Sequence, residues 1–374
     1  MRIGIVLPHI FMTKDIFNDV IFAPGSLAIT LCKELKELGN DVTFFSPGYV
    51  VEGVNNINTD LSFFEEELKV RGYSYIDLLK KHPLTFISLS RQVQSDLIVQ
   101  AIKYANEKLD ILHIFSLEEE ISLPMSDFSK VPVCFTHHEP FNYLTKYRSQ
   151  FERYPNLNYI SISLSQQKTV SSKINFVGNV YNGIAENAYT PIANPSLDYF
   201  AYSGRIIEPK GVHLAIKACI KAKKNLKIAG KYYDKYFDEV IKPLIENNKE
   251  YIEYVGFLKT DKEKNEFYGN PIATLVPSTW DEPFGMVAIE SLASGTPVIA
   301  LKSGALEEIV KDKETGFLEE KKVNEEETIN GLVEAILNIG NIDRTECRKD
   351  FLERFTSKKM ATEYMNIYRH LTTS

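Results

Sequence analysis

Two glutamates with seven residues between them, Glu282 and Glu290, lie in the part of this chain best suited to chemistry. The stretch Pro277–Ala300 reads PSTWDEPFGMVAIESLASGTPVIA. Carboxylates accept hydrogen bonds from hydroxyls, so a sugar or a ribose is a natural target. The apolar run 272–276 predicts a buried parallel strand. Residues 277–283 are rich in turn formers, so the chain leaves the sheet there. Val287, Ala288 and Leu292 recur at helical spacing, and Gly295 with Pro297 ends the pattern. The predicted helix begins near Phe284, where Gly285 permits close backbone approach. The amides of Phe284, Gly285, Met286 and Val287 fall at its start, lack intrahelical partners and sit at the positive end of the dipole. A diphosphate suits that position. The competing reading makes Glu282 a helix cap and Glu290 a solvated charge.

Other residues extend the pattern. In Ser203–Gly211 (SGRIIEPKG), Arg205 and Lys210 are five apart across a turn. Both can converge on one anion, arginine as a fork and lysine as a point charge. Read alone, they are two surface cations near Glu208. Thr136-His137-His138-Glu139-Pro140 follows an apolar run, at the carboxyl end where parallel sheets bind ligands. Adjacent side chains on an extended chain point opposite ways, which argues against a metal shared by the two histidines. Pro24-Gly25-Ser26 opens a long helical pattern. Gly256-Phe257-Leu258 ends a strand pattern, and Leu258 is either a core residue or a backbone partner for a nucleobase. There is no D-x-D carboxylate pair for Mg²⁺ or Mn²⁺, no G-x-G-x-x-G and no P-loop. No metal and no cofactor are expected.

These groups need a scaffold. Strands are predicted near residues 3–7, 42–45, 111–115, 131–135, 159–162 and 176–180. A helix over 25–38 carries Leu27, Leu31, Leu35 and Leu38 on one face and stops at Gly39-Asn40. This βαβ rhythm implies a parallel α/β sheet covered on both faces. Residues 182–197, rich in Asn, Ala and Pro, read as a linker. A second series follows, with strands near 199–203, 226–229, 251–255, 272–276 and 297–301 and a helix over 212–223. A last helix is predicted over 357–371. The expected division is a first domain at 1–190 and a second at 191–356.

Composition narrows the class. With 374 residues, 44% apolar and 25% charged, the chain suits two globular domains. A net charge of −7 argues against a nucleic-acid partner. No apolar run approaches the length of a membrane span, and MRIGIVLPHIF lacks the features of a signal peptide. Cys32, Cys134, Cys219 and Cys347 are scattered, which predicts a reduced, cytoplasmic protein. Residues 55–89, with Phe63, Phe64, Tyr73, Tyr75, Leu78 and Leu79 among charges, read as an amphipathic cover or a lipid-facing surface. The second option would place the protein peripherally at the inner face of a membrane.

Pro277–Ala300 and Arg205–Gly211 together resemble the donor-site signature of retaining glycosyltransferases of family 4, the glycosyl transferases group 1. The resemblance runs through nearly the whole chain. It implies a GT-B fold, two Rossmann-like domains with parallel sheets facing a central cleft, the C-terminal helix 357–374 completing the first domain. It implies an enzyme moving a sugar from a nucleoside-diphosphate donor, a UDP-sugar or GDP-mannose, to a hydroxyl of a carbohydrate, lipid or other acceptor. Arg205, Lys210 and the amides of Phe284–Val287 would hold the diphosphate, Glu282 the sugar hydroxyls and Glu290 the ribose. His138 matches the family's T-x-H histidine beside the reacting sugar, which would bind that sugar or stabilise positive charge at the anomeric carbon through its backbone carbonyl. Gly25 matches a glycine-rich turn, although relatives often have two adjacent glycines where this chain has Pro24-Gly25. Asn182-Gly183-Ile184 matches the element that closes the first domain, with Ala185 where relatives usually carry Asp. The rivals are a nucleotide-sugar epimerase of the same fold, a non-catalytic nucleotide-sugar-binding protein and, least supported, an NAD-dependent oxidoreductase. Donor base, sugar, acceptor, linkage and oligomeric state stay open at this stage.

Overall fold

The computed structural model describes residues 1–17, 20, 22–115, 121–142, 145–232 and 235–373. These form two units. The first comprises Met1–Ile162, Gln167–Val180 and Ser357–Ser374; the second comprises Ser163–Gln166 and Tyr181–Thr356.

The first unit holds seven parallel strands: β1 (Arg2–Val6), β2 (Asp41–Ser46), β3 (Asn55–Asn58), β4 (Ile111–Phe115), β5 (Val133–Thr136), β6 (Asn158–Ser161) and β7 (Phe176–Asn179). Their order is β3-β2-β1-β4-β5-β6-β7. The second unit holds β8 (Phe200–Ser203), β9 (Leu226–Ala229), β10 (Ile252–Gly256), β11 (Thr274–Val276), β12 (Val298–Leu301) and β13 (Gly316–Glu319), in the order β10-β9-β8-β11-β12-β13. Both are Rossmann-like sheets. In each, successive strands run outward from one central strand and then jump to its other side. The strand order therefore switches between β1 and β4 in the first sheet and between β8 and β11 in the second, and open α/β sheets bind ligands at the carboxyl ends of the strands beside such a switch.

Central strands are apolar because helices cover both faces. Ile3, Ile5, Ile111, Leu112 and Phe115 have no exposed surface. In the second unit Tyr202, Ile228, Leu275 and Ile299 join the helix Val212–Ala222 in one core. The aromatic and leucine side chains of the 55–89 segment form an amphipathic cover: Phe64, Tyr75 and Leu78 are buried in a cluster with Ile10, Ile16 and Phe86, while Phe63, Tyr73 and Leu79 pack against it. Each large side chain removed from water there contributes about 2 kcal/mol. A Ser74–Asp77 capping box starts the helix Tyr75–Lys81. Among the described residues no helix is long and apolar enough to cross a membrane.

The residues read as a linker are docked on the second unit. The Ile184 amide donates to the Phe355 carbonyl (3.1 Å), Arg348 donates to the carbonyls of Glu186 (2.8 Å) and Tyr189 (3.2 Å), and the Thr190 amide donates to Asn265 (2.7 Å). Their lack of periodicity reflects a segment held by backbone hydrogen bonds instead of an apolar stripe.

Candidate functional site

Two loops meet beside the switch in strand order of the second sheet, and glycines let them meet. After β8, Gly204 adopts φ +148. A side chain on the neighbouring Gly230 would lie 1.9 Å from the Gly204 carbonyl oxygen. Arg205 follows, exposed, with no ion pair among the described residues. A single 3-10 turn, Glu208–Lys210, leads to Gly211, left-handed at φ +69. A Cβ there would meet the carbonyl oxygen of Pro277, in the loop after β11, at 1.9 Å. The loops are also stitched by the Thr279 amide, which donates to the Pro209 carbonyl at 2.8 Å.

This contact brings the predicted cation and carboxylate together. Lys210 Nζ lies 2.5 Å from Glu282 Oε1 and 4.8 Å from the centre of the Trp280 ring. Glu282 is 7% exposed. Its backbone is pinned by a parallel bridge to Gly304 and by the Ala305 amide, which donates to its carbonyl at 2.8 Å. A charge this buried needs a charged partner, and Lys210 supplies it. Glu282 is thus neither a helix cap nor a solvated group.

The helix runs Met286–Ala293, with Gly285 at its N-cap (φ +122) and no side-chain cap. Phe284 is buried just before it. The Met286 and Val287 amides lie in its first turn, with nothing from Gly285 to cap them. At the far end, Arg348 donates to the Ala293 carbonyl at 2.7 Å, a cation at the negative end of the dipole. Ser291 ties the helix to Thr274 of β11 at 2.8 Å.

Glu290 is not a solvated charge. The Tyr268 hydroxyl donates to its Oε2 at 2.8 Å, and the Tyr189 hydroxyl also bonds it. Burial raises its pKa, and the two tyrosine bonds oppose that shift. Ser203, at the end of β8, bonds Tyr268 in turn. Neither tyrosine stands out in the sequence; each lies in a segment whose pattern signals only helix or turn. Leu258 is half-buried in the turn between β10 and the helix Asp261–Gly269. Arg205, Lys210, Glu282, Phe284–Val287, Glu290 and Leu258 all belong to the second unit.

The remaining candidates belong to the first unit. Gly25 lies in the first turn of the helix Ala23–Glu37, not ahead of it. A Cβ there would come within 2.4 Å of Phe17 and 2.7 Å of Met12, so the residue serves close packing at that helix start. His138 follows β5, is 8% exposed and rests on the Phe115 ring at 4.3 Å. Its Nε2 has no hydrogen-bond partner among the described residues. Burial, and secondly His137 and His113, lower its pKa to about 3, so it is neutral. His137 faces the other way, toward Phe141 and Phe151 at 5.1 Å each. Among the described residues no three His, Cys, Asp or Glu side chains cluster as metal ligands. His9, unmarked in the sequence reading, follows β1 between Phe11 and Phe22 at 4.4 and 4.6 Å, its pKa lowered to about 4 by burial.

Parts of this chain are similar to known proteins. Residues 192–351 match the family Glycosyl transferases group 1. An uncharacterized glycosyltransferase of Methanocaldococcus jannaschii is 32% identical over 200 residues, covering 52% of this chain and 53% of that protein. The chain spans about half the length of the curated relatives it matches. In fold, sucrose-phosphate synthase from Thermosynechococcus elongatus superposes with a TM-score of 0.74 over 100% of both chains, at 17% identity. Anabaena HepE, solved in complex with UDP and glucose, superposes with a TM-score of 0.68 over 98% of this chain and 99% of that one, at 15% identity. The fold is that of GT-B proteins, two Rossmann-like domains.

Proposed function

We propose that the chain is a glycosyltransferase of the GT-B type that moves a sugar from a nucleoside-diphosphate donor to an acceptor hydroxyl, with retention of anomeric configuration and without a metal. The observation that carries this reading is the Lys210–Glu282 pair, 2.5 Å apart at the switch point of the second sheet, beside exposed Arg205 and an uncapped helix start. The match of residues 192–351 to Glycosyl transferases group 1 covers all of these residues. The Anabaena neighbour, solved with UDP and glucose, and with UDP-glucose, makes a UDP-sugar the first donor to try.

Each group then has a task. Arg205, Lys210 and the Met286 and Val287 amides hold the diphosphate, stabilising the negative charge that grows as it leaves. Lys210 already carries Glu282 on one donor and keeps others for phosphate oxygens. Glu282 is thereby held in place to accept hydrogen bonds from sugar hydroxyls. Glu290, oriented by Tyr268 and Tyr189, accepts from the ribose hydroxyls. His138, with its ring neutral and Nε2 unpartnered, is assigned to the transferred sugar on the strength of the Thr136-His137-His138 match. The bond from the anomeric carbon to the phosphate oxygen breaks, and the bond to the acceptor oxygen forms on the same face. The departing phosphate oxygen takes the acceptor proton.

The test is incubation with UDP-glucose and a set of sugar and glycolipid acceptors in EDTA, followed by NMR of the product. An α-linked product with release of UDP supports the reading. A β-linked product removes retention, and consumption of the donor without any acceptor points to an epimerase.

A further inference from the structure

The first unit buries a chain of polar side chains that the roles above do not use. His113 is the middle residue of β4 and has no exposed surface. Its Nδ1 lies 2.6 Å from the Tyr368 hydroxyl and its Nε2 lies 2.8 Å from the Thr136 hydroxyl. The Thr136 hydroxyl is also 3.2 Å from that of Tyr364. Burial lowers the pKa of His113 to about 3, so the ring is neutral. A neutral ring donates from one nitrogen and accepts at the other, so the protons of the whole chain run one way.

Sheet geometry links this chain to His138. His113 pairs in register with Cys134, and Phe115 with Thr136. Side chains two apart share a face, so His113, Phe115, Cys134 and Thr136 form one surface of the sheet, and His138 continues it. The Phe115 ring lies 5.3 Å from His113, 4.3 Å from His138 and 6.2 Å from Tyr364. The helix Ser357–Thr373 covers this surface, with Tyr364 and Tyr368 one turn apart and their rings stacked at 6.0 Å. Its start is fixed by Ser357, whose hydroxyl donates to Glu34 at 2.5 Å. Apolar residues would dock a helix at lower desolvation cost. A buried and satisfied polar chain instead specifies one geometry.

We infer that Tyr364, Tyr368, His113 and Thr136 are positioning residues: the C-terminal helix, 255 residues from His113 along the chain, fixes the His138 ring through this polar chain and the Phe115 stack. The inference rests on the role proposed for His138. With the chain intact, Nε2 of His138 is held where a sugar hydroxyl can donate to it. With the Tyr368 hydroxyl removed, His113 loses the partner of Nδ1 and turns, Phe115 follows, and His138 moves with it.

The test combines NMR and kinetics on the full chain with ¹⁵N-labelled histidine. Tyr368→Phe is expected to move the ring resonances of both His113 and His138 and to leave those of His213 in place. Transfer kcat is expected to fall about tenfold, in line with a small misplacement of a reacting group, with donor KM unchanged. In a His138→Ala background the same substitution should cost nothing further in kcat. An unmoved His138 resonance overturns the inference whatever the activity. So does an equal loss of kcat in both backgrounds. Absence of transfer by the unaltered protein would defeat the function proposed above while the resonance shift still decides the positioning claim. If Tyr368→Phe fails to fold, Tyr364→Phe, which removes a longer hydrogen bond, is read by the same measurements.

Discussion

Lys210 and Glu282 bear most of the weight at the residue scale. Removing Lys210 leaves a nearly buried carboxylate without its cation and takes one donor from the diphosphate. Lys210→Ala is expected to lower turnover by on the order of 10². Steady-state rates check this, and near-normal turnover would contradict the assignment. Glu290 touches only a non-reacting part of the donor in this account. Glu290→Ala should therefore raise donor KM and leave kcat within a few-fold, whereas an unchanged KM would make the glutamate structural. Glu282, Arg205 and Lys210 are legible in the sequence because each sits beside a turn signal, and Glu290 because it lies in the helical pattern that follows one. Tyr268 and Tyr189 were not readable. A buried tyrosine looks like any core aromatic until the fold shows that its hydroxyl meets a carboxylate.

The buried histidines give a pH dependence of known sign. His113 and His138 have pKa values lowered to about 3 by burial, against 6.5 when exposed. The unfolded chain takes up protons below pH 6.5 that the folded chain refuses. Their contribution to stability is complete above pH 6.5 and is lost as pH falls toward 3. Urea unfolding at several pH values should show stability declining from pH 6.5 to 5, a window above most carboxylate titration. A flat profile there would mean that these rings are protonated in the fold.

At the scale of elements, turn glycines decide whether the site assembles. Gly211 is left-handed, and any side chain on it would collide with the Pro277 carbonyl, so it sets how closely the loops after β8 and β11 approach. Gly211→Ala is expected to cost at least about 2 kcal/mol and to weaken donor binding together with stability. Calorimetric melting and donor titration check the two effects, and normal binding would show that the close approach is dispensable. Most strands were legible as apolar runs, the expected property of a strand covered on both faces. Two strands lack such a run, both at sheet edges. β3 reads NNIN and β13 reads GFLE, too short and polar to show a period. The helix Pro83–Lys108 gives a weak sequence signal, because its buried positions Phe86, Ser90, Val93, Gln94 and Leu97 mix polar and apolar types.

At the scale of the whole molecule, chain order and unit membership diverge. The last helix belongs to the first unit, and Ser163–Gln166 belongs to the second. Three contacts hold that short segment there. Glu308 accepts from the Leu164 and Ser165 amides, and the Ser163 hydroxyl donates to the Pro283 carbonyl at 2.8 Å. Sequence gives no warning of such an excursion, since four residues cannot show a pattern of their own. Deleting 357–374 should speed amide exchange in β4, β5 and the helix Ala23–Glu37 while sparing the second unit. Uniform protection after the deletion would mean that the last helix contributes little to the first unit.

Donor binding in EDTA tests the central claim most directly. Calorimetric titration with UDP-, GDP-, ADP- and dTDP-sugars should show one nucleotide class binding without metal, and Lys210→Ala should weaken it sharply. Binding by none of them, binding only after a divalent metal is added, or affinity indifferent to Lys210 would contradict the account.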